Sequence, residues 1–105
     1  MRKPNAKFAV GQLVHHKLFG YRGVIVDVDA SYQGSDEWYE EVAHNAPPKD
    51  RPWYHVLVHG ADYETYVAER HLESDASNAP INHPDLGRFF DGFRNGAYVV
   101  RRRMN

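Results

Sequence analysis

Hydrophobic positions in the front third of the chain recur at every second residue. Val24, Val26 and Val28 alternate with Ile25, Asp27 and Asp29, which predicts a strand with one face turned inward and the other toward water. Phe8 to His16 predicts a first strand before it, with Gly11 and Gln12 at a bend or bulge, where a glycine backbone is at home. Lys17 to Arg22 forms the turn between them, and Gly20 and Gly23 flank Tyr21 and Arg22. Trp53 to His59 predicts a third strand, with Tyr54, Val56 and Val58 on one face and His55, Leu57 and His59 on the other. Gly60-Ala61-Asp62 reads as a turn, Tyr63 to Ala68 as a fourth strand, and Glu69 to Leu72 as one turn of helix that sets Leu72 into the core.

A long connection, Ala30 to Pro52, separates the second strand from the third. Ser35 is placed to cap a short helix over Asp36 to about Ala43, and Asp36 and Glu37 sit where the helix dipole favours negative charge. Trp38, Tyr39 and Val42 supply its apolar face, and Pro47-Pro48 forbids continuation. The connection reads as a cover over one open end of the sheet. Residues 73–83 have turn composition. Pro84 then opens a last helix whose stripe, Leu86, Phe89, Phe90 and Phe93, falls at i, i+3, i+4 and i+7, and which Asn95-Gly96 ends. Tyr98-Val99-Val100 adds a final strand before Arg101-Arg102-Arg103. The expected fold is mainly β, a small SH3-like barrel of about five strands with a short helix in the long loop and a C-terminal helix. The 105 residues read as one domain, with the barrel over residues 8–72 and the linker, helix and basic tail over 73–105.

Composition narrows the function classes. The chain has no cysteine, which excludes disulfides, thiolate metal sites and thiol nucleophiles. No apolar run approaches the roughly 18 residues of a membrane helix. The stretch MRKPNAKF has charge but no apolar core following it, so no signal peptide is expected there. A cytoplasmic protein without a membrane partner follows. Net charge is −1, yet its distribution is uneven. Residues 1–26 hold five Lys/Arg and no carboxylate, residues 27–85 hold thirteen carboxylates, and the last twenty residues hold five arginines against Asp91. The plain reading is a solvated mixed surface whose basic ends neutralise its acidic middle.

Catalytic and metal chemistry find little support. Adjacent His15 and His16 point to opposite faces of a strand, and His55 and His59 lie about 13 Å apart along one. No third ligand of suitable spacing accompanies them, so no metal is expected. Asp27 and Asp29 are explained by strand alternation, and the carboxylates of Asp36 to Glu41 by a solvated helix face. No serine sits in a nucleophile elbow, and Gly20-Tyr21-Arg22-Gly23 lacks the strand–helix setting of a phosphate loop. No catalytic residue, cofactor or enzyme activity is expected. Two binding classes remain. Basic residues beside aromatics on the front turn, His15, His16, Lys17 and Arg22 with Phe19 and Tyr21, together with the arginine tail, are ingredients of a nucleic-acid surface. Exposed aromatics could instead meet a protein, and Trp53, following Pro52 at a strand start, is the best candidate for a half-exposed one.

The stretch Val10 to His16, the run GYRGVIVDVD over Gly20 to Asp29, the run PWYHVLV over Pro52 to Val58, then Tyr66 to Glu69 and Leu72, resemble the bacterial heat shock HspQ family. That family is also called the hemimethylated-DNA-binding, YccV-like family. The likeness covers Phe8 to Leu72 and extends more loosely to His83-Pro84. It implies an SH3-like barrel, a cytoplasmic stress role, small homo-oligomers, and degradation of selected or denatured proteins, a replication initiator among them, through the Lon protease. It also implies binding to hemimethylated DNA. On the first role Phe19, Tyr21, Arg22, Trp53 and Tyr54 are the expected contacts with Lon or client proteins. On the second, His16, Lys17, Arg22, Arg101, Arg102 and Arg103 would meet DNA. The acidic middle of the chain favours the protein-interaction role.

Overall fold

The structure, a computed structural model, describes residues 5–42 and 45–102. Strand β1 (Leu13–His16) lies antiparallel to β2 (Arg22–Asp29), with Leu13 opposite Val24 and His15 opposite Arg22. Helix α1 (Asp36–Val42) follows, capped as its sequence predicts: the Trp38 N–H donates to Ser35 Oγ at 3.0 Å. Then come β3 (Trp53–Val58), β4 (Glu64–Ala68), a 3-10 turn (Glu69–His71) and β5 (Leu72–Ser74). A short helix α2 (Leu86–Phe89) leads into β6 (Phe90–Arg94) and β7 (Ala97–Val100).

The main sheet has five strands in the order β4-β3-β2-β1-β5, and β6 and β7 form a separate hairpin. Strands β4 and β5 are neighbours in the chain but occupy opposite edges. Laid flat, those edges would be about 19 Å apart. The four residue steps from Ala68 to Leu72 reach at most about 14 Å. The sheet must therefore coil, and it does so without closing: no ladder joins β4 to β5. The closed barrel expected from the sequence is corrected to an open, coiled sheet with a docked hairpin. Strand β5 was not expected at all; Leu72 both enters the core and begins a strand paired with β1.

A bulge between Ile25 and Asp27 in β2 breaks the expected alternation. Val24 stays opposite Leu57, Ile25 opposite Val56, and Asp27 falls opposite His55. The extra residue turns Ile25 and Val28 to one face, where they bury with Val14, Tyr54, Val56, Val67 and Leu72. Val24 goes to the other face with Leu13, Leu57, Ile81, Phe90 and Tyr98. Both faces of β2 are covered, not one. The core also takes in Ala6 and Phe8, so the chain is packed from Ala6 onward, and residues 1–4 lie outside the described residues. Tyr54 secures that segment: its hydroxyl accepts from the Phe8 N–H and donates to Glu69, which accepts from the Lys7 N–H. Burial first, then the Glu69 carboxylate, pushes the Tyr54 phenol well above its ordinary range.

The C-terminal helix expected over Pro84 to Phe93 is reduced to the four residues of α2. The second half of its apolar stripe belongs to β6, with Phe90 opposite Val100 and Phe93 opposite Tyr98. Asn95 and Gly96 both have positive φ, 54° and 79°, as a two-residue hairpin turn requires. The hairpin docks where Gln12 bridges Ala97 and the Tyr98 N–H donates to the Gly11 carbonyl at 2.8 Å. The Tyr98 hydroxyl accepts from the Ile81 N–H and donates to the Ile81 carbonyl.

Candidate functional site

The turn after β1 is built around a buried imidazole. His16 Nδ1 accepts the N–H groups of Leu18 and Phe19, each at 3.1 Å, and its ring stacks on Phe19 with centroids 4.6 Å apart. That leaves Phe19 59% exposed. Tyr21 turns back toward the sheet, its hydroxyl 2.8 Å from Thr65 Oγ1, and burial raises its phenol above the ordinary value.

The long connection forms an opposing wall. Tyr32, Trp38, Tyr39, Trp53 and Tyr66 pack as one aromatic group, with Tyr32 4.8 Å and Tyr66 5.2 Å from Trp53 between ring centroids. Trp53 Nε1 donates to the Pro48 carbonyl and the Tyr39 hydroxyl to the Pro47 carbonyl, which pins residues 47–48 onto the sheet. The cover read from the length of this connection is real, and it lies over the Trp53 face. Between the two walls runs a groove of about 540 Å³, lined by every residue from Tyr63 to Ala68 and flanked by Phe19, Tyr21, Trp38 and Val42. Tyr63 and Val42 are 57% and 46% exposed, so with Phe19 the groove gathers three large apolar side chains in water.

Strand β4 is one edge of the sheet. Its Tyr63-side and Glu69-side bonds run to β3: the Tyr63 carbonyl accepts from Val58 N–H and the Glu69 N–H donates to the Pro52 carbonyl. By strand alternation the main-chain groups of Glu64 and Tyr66 point away from β3, toward the groove. No described strand pairs with them.

The expected contact residues separate into distinct roles. Phe19 and Tyr21 line the groove. Trp53 and Tyr54 are 1% and 0% exposed, so the expectation that they meet a partner is corrected: two large aromatics on a central strand are the core itself. Arg22 is corrected for both of its expected roles. Its Nε donates to Asp75 Oδ2 at 2.9 Å and its Nη2 to the Ala79 carbonyl, clamping the linker to β2. Burial raises the Asp75 carboxyl, but Ser77 and Arg22 outweigh it and hold the group below its ordinary value. His16 is 4% exposed with an acceptor nitrogen inside the turn, an unsuitable donor to phosphate.

Lys17 is exposed, as are Arg101 and Arg102, and Arg103 lies outside the described residues. These cations do not converge. Lys17 follows β1, whereas β7 runs antiparallel past Gln12 and Gly11, carrying Arg101 and Arg102 the other way. Arg101 Nη1 also donates to the Gly87 carbonyl. The hairpin brings Arg88 and Arg94, both exposed, to the same small unit, giving four arginines against Asp91 over residues 86–102. Tyr63 and Val42 were missed, because their exposure depends on which strand ends the sheet.

One titratable cluster lies beside the groove. Ligand atoms of Asp27, Asp29 and His55 fall within 4.8 Å of one another. No metal was expected, and both His55 nitrogens are already engaged: Nδ1 is 2.9 Å from Glu64 and Nε2 3.2 Å from Asp29, which also accepts from the Tyr66 hydroxyl at 2.6 Å. The imidazole of His55 thus occupies the place a cation would take. Burial lowers the His55 pKa, but Glu64 and Asp29 more than offset it, and the net shift is upward. A raised imidazole pKa stabilises the fold below the unfolded value, about 6.5, and that contribution fades as pH rises through the folded value. The stability advantage of the wild type over His55→Gln, at most about 1 kcal/mol for so solvent-screened a group, should therefore be largest in mild acid and shrink above neutrality. Urea midpoints at stepped pH measure it, and an advantage constant with pH would contradict the assignment.

Among the described residues no helix is long and apolar enough to cross a membrane. The family of YccV-like hemimethylated DNA-binding proteins matches residues 6–97, a span that includes the coiled sheet, both walls of the groove and the first residue of β7. The chain belongs to that family.

Proposed function

We propose that this chain is a non-enzymatic stress protein of the cytoplasm, assembling into a small homo-oligomer, that promotes degradation of selected or denatured proteins through the Lon protease. A replication initiator is one such client class. The observation that carries this reading is the groove along β4, where Phe19, Val42 and Tyr63 stand exposed over an apolar, aromatic lining. Such a surface suits polypeptide side chains and offers little to a phosphate backbone. Turnover of a labelled client by purified Lon, with and without this protein, tests it. Acceleration by the wild type, and its loss in a folded Phe19→Ser, Tyr63→Ser double variant, is the expected result. Turnover unchanged by the wild type would remove the reading.

A second reading, recognition of hemimethylated duplex DNA, draws on the family to which the chain belongs and on the arginine-bearing hairpin. If Arg88, Arg94, Arg101 and Arg102 each neutralise a phosphate, log affinity should fall against log salt with a slope of about −3 to −4. A duplex shift measured at two salt concentrations decides this arm. No shift at low salt, or an affinity indifferent to salt, would end it.

A further inference from the structure

The groove's floor is a strand edge, and that geometry specifies more than an apolar contact. The main-chain N–H and C=O groups of Glu64 and Tyr66 face it by strand alternation, spaced two residues apart as a further strand would require, while the Ala68 carbonyl is taken by the 3-10 turn that follows. The side chains of the walls alternate accordingly. Thr65 is turned to the Tyr21 wall, where the two hydroxyls meet, and Tyr66 to the Trp38 wall, with ring centroids 5.9 Å apart. A natural edge strand is usually blunted by lysine, proline or a bulge. The run Glu-Thr-Tyr-Val-Ala of β4 contains none of them, and its ladder with β3 is regular throughout.

Charge around the groove is divided between its ends. Helix α1 places Trp38 and Val42 in the lining, and exposed Glu37 and Glu41 flank them. At the other end Asp62 precedes Tyr63, and exposed Glu64 lines the groove itself. Against these stand Lys17, two residues before Phe19, Lys49, which pairs with Asp36 at the start of α1, and Arg51 and Arg70 at the Ala68 end of β4. His55, paired with Glu64 and stacked on Tyr66, lies on the same face of the sheet and offsets part of that charge. The rim is acidic along α1 and at the Tyr63 end and basic beside Ala68, and the interior is apolar.

We propose that β4 takes an extended polypeptide segment as an added strand, pairing with Glu64 and Tyr66, and that the segment is apolar or aromatic at alternate positions with lysine or arginine where it meets Asp62, Glu64 and the acidic flank of α1. This rests on the protein-binding reading above and names its ligand. About five residues would pair, the length of β4, with side chains entering the Tyr21 and Trp38 walls in turn. Unfolded or partly unfolded chains present such segments, whereas folded ones keep them within their own sheets.

The test uses a fluorescein-labelled peptide of alternating valine and phenylalanine with lysines at both ends, read by anisotropy against the full chain. A matched peptide carries N-methyl groups on alternate amides, which remove the donors a strand needs while keeping every side chain. A third carries glutamates in place of the lysines. Binding of the first peptide, with at least tenfold loss for each of the other two, is expected. Tyr63→Ser and Phe19→Ser, both at exposed positions, should each weaken the first peptide about tenfold while leaving the melting temperature near that of the wild type. Equal binding of the N-methylated peptide would overturn strand addition, and equal binding of the acidic peptide would overturn the basic ligand. Binding that appears only on dilution, with sedimentation showing a larger species at high concentration, would assign the groove to a second copy of this chain and overturn the proposal. Lon assays run in parallel keep the two claims apart. Peptide binding without an effect on turnover removes the protease role and leaves the strand site, and accelerated turnover without peptide binding does the reverse.

Discussion

Trp53→Ala is expected to lose about 3–5 kcal/mol, the usual result of truncating a buried indole. Total stability in domains of this kind is only about 5–15 kcal/mol. The indole is 1% exposed, touches the rings of Tyr32 and Tyr66, and donates to the Pro48 carbonyl, so its loss opens a cavity and orphans an acceptor together. Residues 47–48 and α1 would lose their seat, and the Trp38 wall of the groove would go with them. At about 4–8 °C per kcal/mol, the melting temperature should fall by well over 10 °C. Far-UV circular dichroism during heating measures this, with Phe19→Ser as the exposed control. A Trp53→Ala protein that melts with the wild type but fails to bind partners would restore Trp53 to a contact role.

Gly11→Ala should be the second most damaging substitution, and for a different reason. Gly11 holds φ of +93°, and a Cβ there would sit 2.3 Å from the Tyr98 carbonyl oxygen. Neither the backbone angle nor the clash can relax without moving β7. The expected cost is about 2–4 kcal/mol, from strain and from the hairpin bonds that give way. Amide exchange at Tyr98, whose N–H donates to Gly11, should accelerate well before the amides of β2 and β3. Gly87→Ala is the control, since a Cβ there meets nothing within 4 Å and it should melt with the wild type. Protection at Tyr98 unchanged in Gly11→Ala would mean that the hairpin is held by its side chains alone.

Local signals were legible wherever one residue and its near neighbours settle the outcome. The Ser35 cap, the bend at Gly11, the turn at Gly60 and strands β3 and β4 follow from residue types a few positions apart. The last helix misled because Leu86, Phe89, Phe90 and Phe93 satisfy a helical period. Asn95-Gly96, read there as a helix stop, is equally the signal for a two-residue hairpin, and the open surface of Leu13, Val24 and Leu57 decided between them. For the site, Phe19 and Tyr21 could be read from an aromatic turn, whereas the burial of Trp53 and Tyr54 could not be told from composition.

By itself the sequence determined a mainly β chain, its family, its strand-forming stretches and its division into basic ends and an acidic middle. Tertiary structure alone decided that the sheet coils without closing, that a bulge buries both faces of β2, that Arg22 clamps the linker, and that β4 is one of its two edge strands. The physical reason is range. Propensity, capping and turn geometry act over a few residues, whereas an edge, a bulge's partner and a side chain's exposure depend on segments such as Tyr21 and Thr65, 44 residues apart, meeting in space.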